Sequence, residues 1–164
     1  LVIDMERGRV LRDDLAQQCP RDLPAYLSYR AHVDKKGLYN TPPVFGVYVM
    51  RLVLDWLRGK GGVDWAARAA GERSGLVYRA IDTSGGFYRC PVPPENRSKM
   101  NVVFRLCDER LEQRFVEEAA REGMVGLKGH RSVGGCRASM YNAMPPEGAR
   151  ALADFMQTFA SKNG

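Results

Sequence analysis

Between residues 42 and 58 the chain is apolar around almost its whole helical circumference. Val44, Phe45, Val47, Tyr48, Val49, Met50, Leu52, Val53, Leu54, Trp56 and Leu57 leave no wide polar stripe. This pattern predicts a helix covered on several sides, with a second chain as its natural cover. With Arg51 and Asp55 inside a run of roughly 17 residues, it makes a poor membrane span. Thr41 suits the N-cap and Pro42 the first helical position, so the helix is expected to start there. Its free N–H groups would favour an anion. Gly59-Lys60-Gly61-Gly62 supplies the stop.

Upstream the signals are weaker. Leu1–Met5 reads as a strand, and a chain opening in a strand without a preceding turn is expected to continue something longer. Glu6 to Pro24 reads as loop, with a helical turn at Asp13–Gln17. Tyr26–Val33 reads as extended, and Lys35-Lys36-Gly37 as a turn.

Downstream the periodicity predicts a helix from Val63 to Ile81 packing through Trp65, Ala69, Leu76, Val77 and Ala80. Strands are expected at Phe87–Cys90 and Ser98–Leu106, separated by a proline-rich loop. Asp108 should cap a helix running to Glu122, with Leu111, Phe115, Val116 and Ala119 inward and Gly123 closing it. Two short strands, Met124–Leu127 and Ala138–Asn142, are expected on either side of a glycine-rich loop. The last helix is expected at Pro146–Ser161, facing inward through Leu152, Phe155, Met156 and Phe159. Helices segregated over one small, mainly antiparallel sheet give an α+β class.

Composition narrows the function only slightly. The 164 residues suffice for a real core. The net charge of +6 is spread over scattered arginines, so it favours anions without indicating nucleic acid. Cys19, Cys90, Cys107 and Cys136 form no CxxC pair, which argues against zinc, and reduced thiols in a cytoplasmic protein are expected. No metal-ligand spacing is present in the sequence.

The candidate chemistry is concentrated in Gly129–Pro145 (GHRSVGGCRASMYNAMP). Glycines let backbone N–H groups approach a ligand closely. Arg131 and Arg137 offer planar donor forks suited to a carboxylate or a phosphate, and His130 adds a further donor. Such a loop reads as a receptor for an anion with two acidic ends. Cys136, with no base beside it in the pattern, reads as a small filler and not a nucleophile.

That stretch resembles the C-terminal signature of the phosphoserine aminotransferases, pyridoxal-phosphate (PLP) enzymes of fold type I in the class V aminotransferase family. Leu38–Pro43 (LYNTPP), Gly86-Phe87-Tyr88 and Asn96–Val102 (NRSKMNV) add to the likeness, in the family's order. The resemblance covers nearly the whole chain but only the C-terminal part of a family member. It implies that residues 1–61 end the large PLP-binding domain and supply a cofactor and dimer loop with an inter-domain helix. Residues 62–164 would form the small domain. It implies amino transfer between glutamate and 3-phosphohydroxypyruvate, giving O-phosphoserine and 2-oxoglutarate in serine biosynthesis. Arg137 matches the arginine on the substrate α-carboxylate, and His130 and Arg131 match the pair at the substrate phosphate. Asn40 and Thr41 match residues that reach the PLP phosphate of the other subunit in a homodimer. No lysine of this chain sits in the family's Schiff-base lysine motif, so that residue is expected outside it and the stretch alone is expected to be inactive. The alternatives are a stand-alone anion- or nucleotide-binding module and a dimerisation module. No nucleic acid or membrane partner is expected.

Overall fold

The computed structural model describes residues 14, 16, 18–20 and 22–164. The expected strand at Leu1–Met5, and most of the loop and helical turn after it, lie outside the described residues. Two compact units are present, one up to Val53 and the other from Leu54 to Gly164.

In the first unit, Tyr26–Val33 is not extended. A 3-10 turn covers Ala25–Leu27, and helix α1 covers Tyr29–Asp34. Pro24, with φ −51°, launches the turn, which is closed by Leu27 N–H donating to the Pro24 carbonyl at 2.8 Å. Apolar positions over so short a window fit either period, and these local bonds decide for the helical one. The expected turn at Lys35–Gly37 is present, with Lys36 at φ 51° and Gly37 at φ 80°.

Helix α2 spans Val44–Gly59 and not Pro42–Arg58. Thr41 is therefore not its N-cap. The reason is the second proline: Pro43 pushes Pro42 out of the helical region, so regular helix begins after the pair. None of the residues of α2 is buried. Phe45 is 79% exposed and Val44 66%, so the all-round apolar surface is left uncovered among the described residues. No helix among the described residues is long and apolar enough to cross a membrane.

The second unit is an α+β assembly. Helix α3 (Gly62–Asp82) follows the glycine stop, where Gly61 and Gly62 both take positive φ. Strand β1 (Tyr88–Arg89), strand β2 (Asn101–Leu106), helix α4 (Arg110–Arg121), strand β3 (Cys136–Ser139) and helix α5 (Pro146–Asn163) complete it. The sheet is antiparallel in the order β1-β2-β3. Tyr88 pairs with Leu106, and Val103 pairs with Arg137. Alternation along β2 sends Val102, Phe104 and Leu106 into the core and leaves Asn101, Val103 and Arg105 on the other face.

Several expectations shift. Val77 and Ala80 of α3 are buried, but the rest of that stripe runs through Ala70, Arg73, Ser74 and Ile81. Trp65, Ala69 and Leu76 are only half-buried, and Trp65 instead stacks edge-on against Trp56. Arg73 enters the interior, 2% exposed, and its Nη1 donates to the Met144 carbonyl at 3.3 Å. Met124–Leu127 is not a strand: Gly126 sits at φ 78°, and the only pairing there is a single bridge from Lys128 to Cys136. The strand expected at Ala138–Asn142 starts two residues earlier, at Cys136, because β2 supplies partners only from Phe104 to Asn101. The four inward residues expected of α5 are all buried. In α4, Phe115 and Ala119 are buried, with Leu111 and Val116 packed beside them.

The NRSKMN stretch ties the sheet to α3. Ser98 Oγ accepts from Met100 N–H and Asn101 N–H, both at 3.1 Å, and so sets the entry to β2. Arg97 grips Asp82 through two bonds of 2.7 and 2.8 Å and lies over the Tyr78 ring. The hydrogen bonds from Arg97 hold the Asp82 carboxyl below its ordinary range. A lowered carboxyl pKa stabilises the fold above the unfolded value and loses that contribution as pH falls through the folded value. The Asp82 side chain is 52% exposed, so screening limits the gain to about 0.2–1 kcal/mol. Asp82→Asn is expected to lower stability by that amount at pH 7, with the difference shrinking as pH falls below the ordinary carboxylate value of 3.8 and vanishing only below the lowered folded value; a pH series of denaturant unfolding measures it.

Candidate functional site

The stretch from Leu127 to Arg137 closes on itself before it presents any side chain. Gly129 N–H donates to the Gly135 carbonyl at 2.8 Å, and Arg137 N–H to the Leu127 carbonyl at 2.8 Å. Within the closure, Val133 and Gly134 N–H both donate to the His130 carbonyl, at 2.9 and 2.8 Å. Glycine is required here for space. A Cβ on Gly129 would lie 2.1 Å from the Gly134 carbonyl oxygen, and one on Gly135 would lie 2.9 Å from the Phe104 carbonyl oxygen.

Two residues that the sequence pattern did not single out clamp this loop from outside. Arg105, on the outer face of β2, donates Nη2 to the Val133 carbonyl and pairs through Nη1 with Glu109 at 3.0 Å. Glu112, in the first turn of α4, accepts from Gly135 N–H at 3.2 Å and lies 3.9 Å from Arg105. Glu109 is thus committed to Arg105, and Glu112 to a backbone amide through Oε2, while its buried Oε1 has only the 3.9 Å approach of Arg105 and no hydrogen bond among the described residues. The alternation of β2 was the available signal for Arg105. Nothing in the sequence linked Glu112 to a loop more than twenty residues away.

The cationic donors are left uncommitted by comparison. Arg131 is exposed and makes no hydrogen bond or ion pair among the described residues. Arg137 stands half-buried on β3, on the face opposite the core residues Cys136 and Ala138. Its Nε is buried without a hydrogen-bond partner among the described residues. His130 is exposed, and its Nδ1 lies 2.7 Å from Ser132 Oγ and accepts from Ser132 N–H at 3.3 Å. With Nδ1 an acceptor, the neutral ring carries its proton on Nε2, which is left as an outward donor. One loop and one strand thus carry His130, Arg131 and Arg137 on a single stretch closed by backbone hydrogen bonds. Asn40 and Thr41 belong to the other compact unit, where both are exposed.

Cys136 is 1% exposed. Burial, with the nearby Glu112 charge adding to it, pushes its thiol up to about 12. It fills space and carries no nucleophile at neutral pH.

The donor set and its order along the chain fit a known lineage. Residues 25–152 match the class-V aminotransferase sequence family. The chain belongs to the class-V aminotransferases. Phosphoserine aminotransferase of Laribacter hongkongensis is 51% identical over 155 residues, which are 94% of this chain and 43% of that protein. The Niallia circulans phosphoserine aminotransferase is 48% identical over the same shares of each chain. The solved phosphoserine aminotransferase from Bacillus circulans subsp. alkalophilus superposes with a TM-score of 0.87 at 49% identity, over 94% of this chain and 43% of that one. PLP-bound phosphoserine aminotransferase from Trichomonas vaginalis gives a TM-score of 0.75 at 35% identity, over 84% and 39%. This class-V aminotransferase chain therefore spans less than half the length of the relatives it matches. Its helices packed on a small antiparallel sheet are the fold of the corresponding part of these fold type I neighbours.

Burial makes thiol reactivity a direct check on the site's packing. With iodoacetamide at pH 8.5, the exposed Cys107 is expected to label rapidly, while the peptide carrying Cys136 labels only after denaturant is added. Mass mapping of the alkylated peptides reads both.

Proposed function

We propose that this chain is part of a phosphoserine aminotransferase, exchanging an amino group between glutamate and 3-phosphohydroxypyruvate with PLP as cofactor. Products would be O-phosphoserine and 2-oxoglutarate, in cytoplasmic serine biosynthesis. The observation that carries the proposal is the clamped loop, with Glu109 and Glu112 turned to Arg105 and the Gly135 amide and with His130, Arg131 and Arg137 left as donors. On this reading residues 1–61 close the large PLP-binding domain and residues 62–164 form the small one.

The Arg137 fork would hold the α-carboxylate that all the substrates share, fixing the bond at Cα that must break. A half-buried guanidinium with an unpartnered Nε binds a carboxylate without first giving up another partner. His130 Nε2–H and Arg131 would take the substrate phosphate, a group with more charge and more acceptor oxygens than a side-chain carboxylate. Closure of the loop by Gly129 and Gly135 keeps these donors from being rebuilt at each turnover.

The cofactor's own requirements also fit. A phosphate needs neutral or cationic donors that are not spent elsewhere. Asn40 offers an amide whose one hydrogen bond among the described residues is a long 3.5 Å approach to the Thr41 carbonyl. Thr41 offers a hydroxyl that caps no helix. In a homodimer, with the uncovered apolar surface of α2 against its counterpart, these two would contact the phosphate of the partner's cofactor. PLP supplies the electron sink for bond breaking at Cα; the residues of this chain bind and orient.

Two measurements test the proposal. In the full-length enzyme, Arg137→Ala is expected to weaken both half-reactions by similar factors. Arg131→Ala should hit the phosphohydroxypyruvate half-reaction harder, by about 1.5–3 kcal/mol, or roughly ten- to hundredfold in kcat/KM. Single-turnover cofactor absorbance separates the halves, and equal losses in Arg131→Ala would remove the phosphate assignment. The present stretch alone is expected to be inactive. Incubation with PLP, borohydride reduction and peptide mapping should give no single stoichiometric pyridoxyl-lysine; finding one, with glutamate-dependent turnover, would overturn that expectation.

A further inference from the structure

We propose that His32 is a positioning residue for Asn40 and Thr41, holding the short segment that carries their donors; this rests on reading those donors as contacts to the cofactor phosphate. The chain between His32 and Tyr39 reverses direction. Gly37 N–H donates to the His32 carbonyl at 2.8 Å and Leu38 N–H to the Lys35 carbonyl at 2.9 Å. Lys36 and Gly37, at φ 51° and 80°, make the left-handed turn that this reversal needs.

The reversal lays Tyr39 against His32, with ring centroids 5.3 Å apart and planes at 69°. A second ring beside the imidazole is Tyr26, at 5.9 Å and 74°. His32 Nε2 lies 3.0 Å from the Tyr26 carbonyl oxygen, which can only accept, so Nε2 carries the proton and donates. One hydrogen bond thus fixes the ring's rotation, and two edge contacts fix its place.

Tyr39 immediately precedes Asn40. Asn40 and Thr41 are exposed, and among the described residues their side chains contribute only the long Asn40 hydrogen bond to the Thr41 carbonyl. The segment is therefore limited on one side by the ring stack and on the other by Pro42 and Pro43, whose φ angles are locked. Without the imidazole, residues 38–41 gain freedom that an incoming phosphate must remove, and affinity falls by that ordering cost.

The test uses the full-length apoenzyme titrated with PLP and, separately, with pyridoxal, which lacks the phosphate. His32→Ala is expected to weaken PLP about three- to tenfold and to leave pyridoxal unchanged. His32→Phe keeps a ring between the tyrosines and should recover most of the loss. In an N40A/T41A background, His32→Ala should add nothing. Should His32→Ala fail to fold, His32→Gln, which keeps a donor but no ring, serves the same comparison and should also weaken PLP. Equal losses for PLP and pyridoxal, or the same added loss in the N40A/T41A background, assign His32 to general stability and overturn the proposal. If N40A/T41A weakens PLP while the His32 variants do not, the positioning role alone is wrong. If N40A/T41A leaves PLP affinity unchanged, the phosphate reading of Asn40 and Thr41 fails, and the role of His32 fails with it.

Discussion

The second compact unit is built around the ring of Phe115. This side chain is fully buried, and four other rings close on it: Phe155 and Phe159 at 5.1 Å, Phe104 at 5.7 Å and Tyr88 at 5.9 Å. Those rings come from α5, β2 and β1, so one residue of α4 joins four elements. Edge-to-face packing of this kind has directional preference as well as area, and close-packed interiors transmit small shifts. Tyr88 adds a polar anchor, its hydroxyl donating to the Met156 carbonyl at 2.9 Å. Burial raises the pKa of that hydroxyl, so it remains a donor throughout the physiological range.

The glycine-rich loop stands on this cluster through very short covalent paths. Phe104 faces inward and its neighbour Arg105 faces the loop; Phe115 faces inward and Glu112, one helical turn before it, meets the loop's Gly135. The core thus sets the distance between β2 and α4, and that distance sets where the clamp can hold. The clamp comes from outside the loop, which leaves Arg131 uncommitted at its head and ties His130 only through Nδ1, to Ser132. Glu112 does double service, since its charge also helps keep the Cys136 thiol protonated.

Local chemistry was legible in the sequence wherever it depended on neighbouring residues. Gly61 and Gly62 stop α2, Gly123 ends α4 at φ 83°, and the inward face of α5 follows from its period alone. The site's cationic residues were legible because glycines and arginines crowd into one short stretch. What failed had physical causes that a helical or strand period does not contain. Thr41 carries the composition of an N-cap, yet Pro43 restricts Pro42 and moves the helix start past it. Arg73 should be a solvated residue by type, yet it lies inside with Nη1 on the Met144 carbonyl, 71 residues away, a contact that no local period contains. Met124–Leu127 has strand composition without a partner strand to pair along its length. Arg105 and Glu112 gain their roles only when β2, α4 and the loop meet.

The strands separate folding from chemistry by parity, and this ties the two together. On β3, Cys136 and Ala138 enter the core while Arg137 and Ser139 face outward; on β2, Val102, Phe104 and Leu106 enter while Asn101, Val103 and Arg105 face outward. Side chains alternate with period two, so a slip of one residue in the β2–β3 register would drive Arg137 inward and bring Cys136 out. Burying an unpaired guanidinium costs far more than exposing a thiol, so the arginine itself opposes the slip. Gly135 reinforces the register from the loop side, because its lack of a Cβ lets the chain pass close to the Phe104 carbonyl at the start of the pairing. The residue read as the carboxylate fork and the glycine that closes the loop are therefore also determinants of strand register, which ties the loop's chemistry to the pairing of β2 and β3.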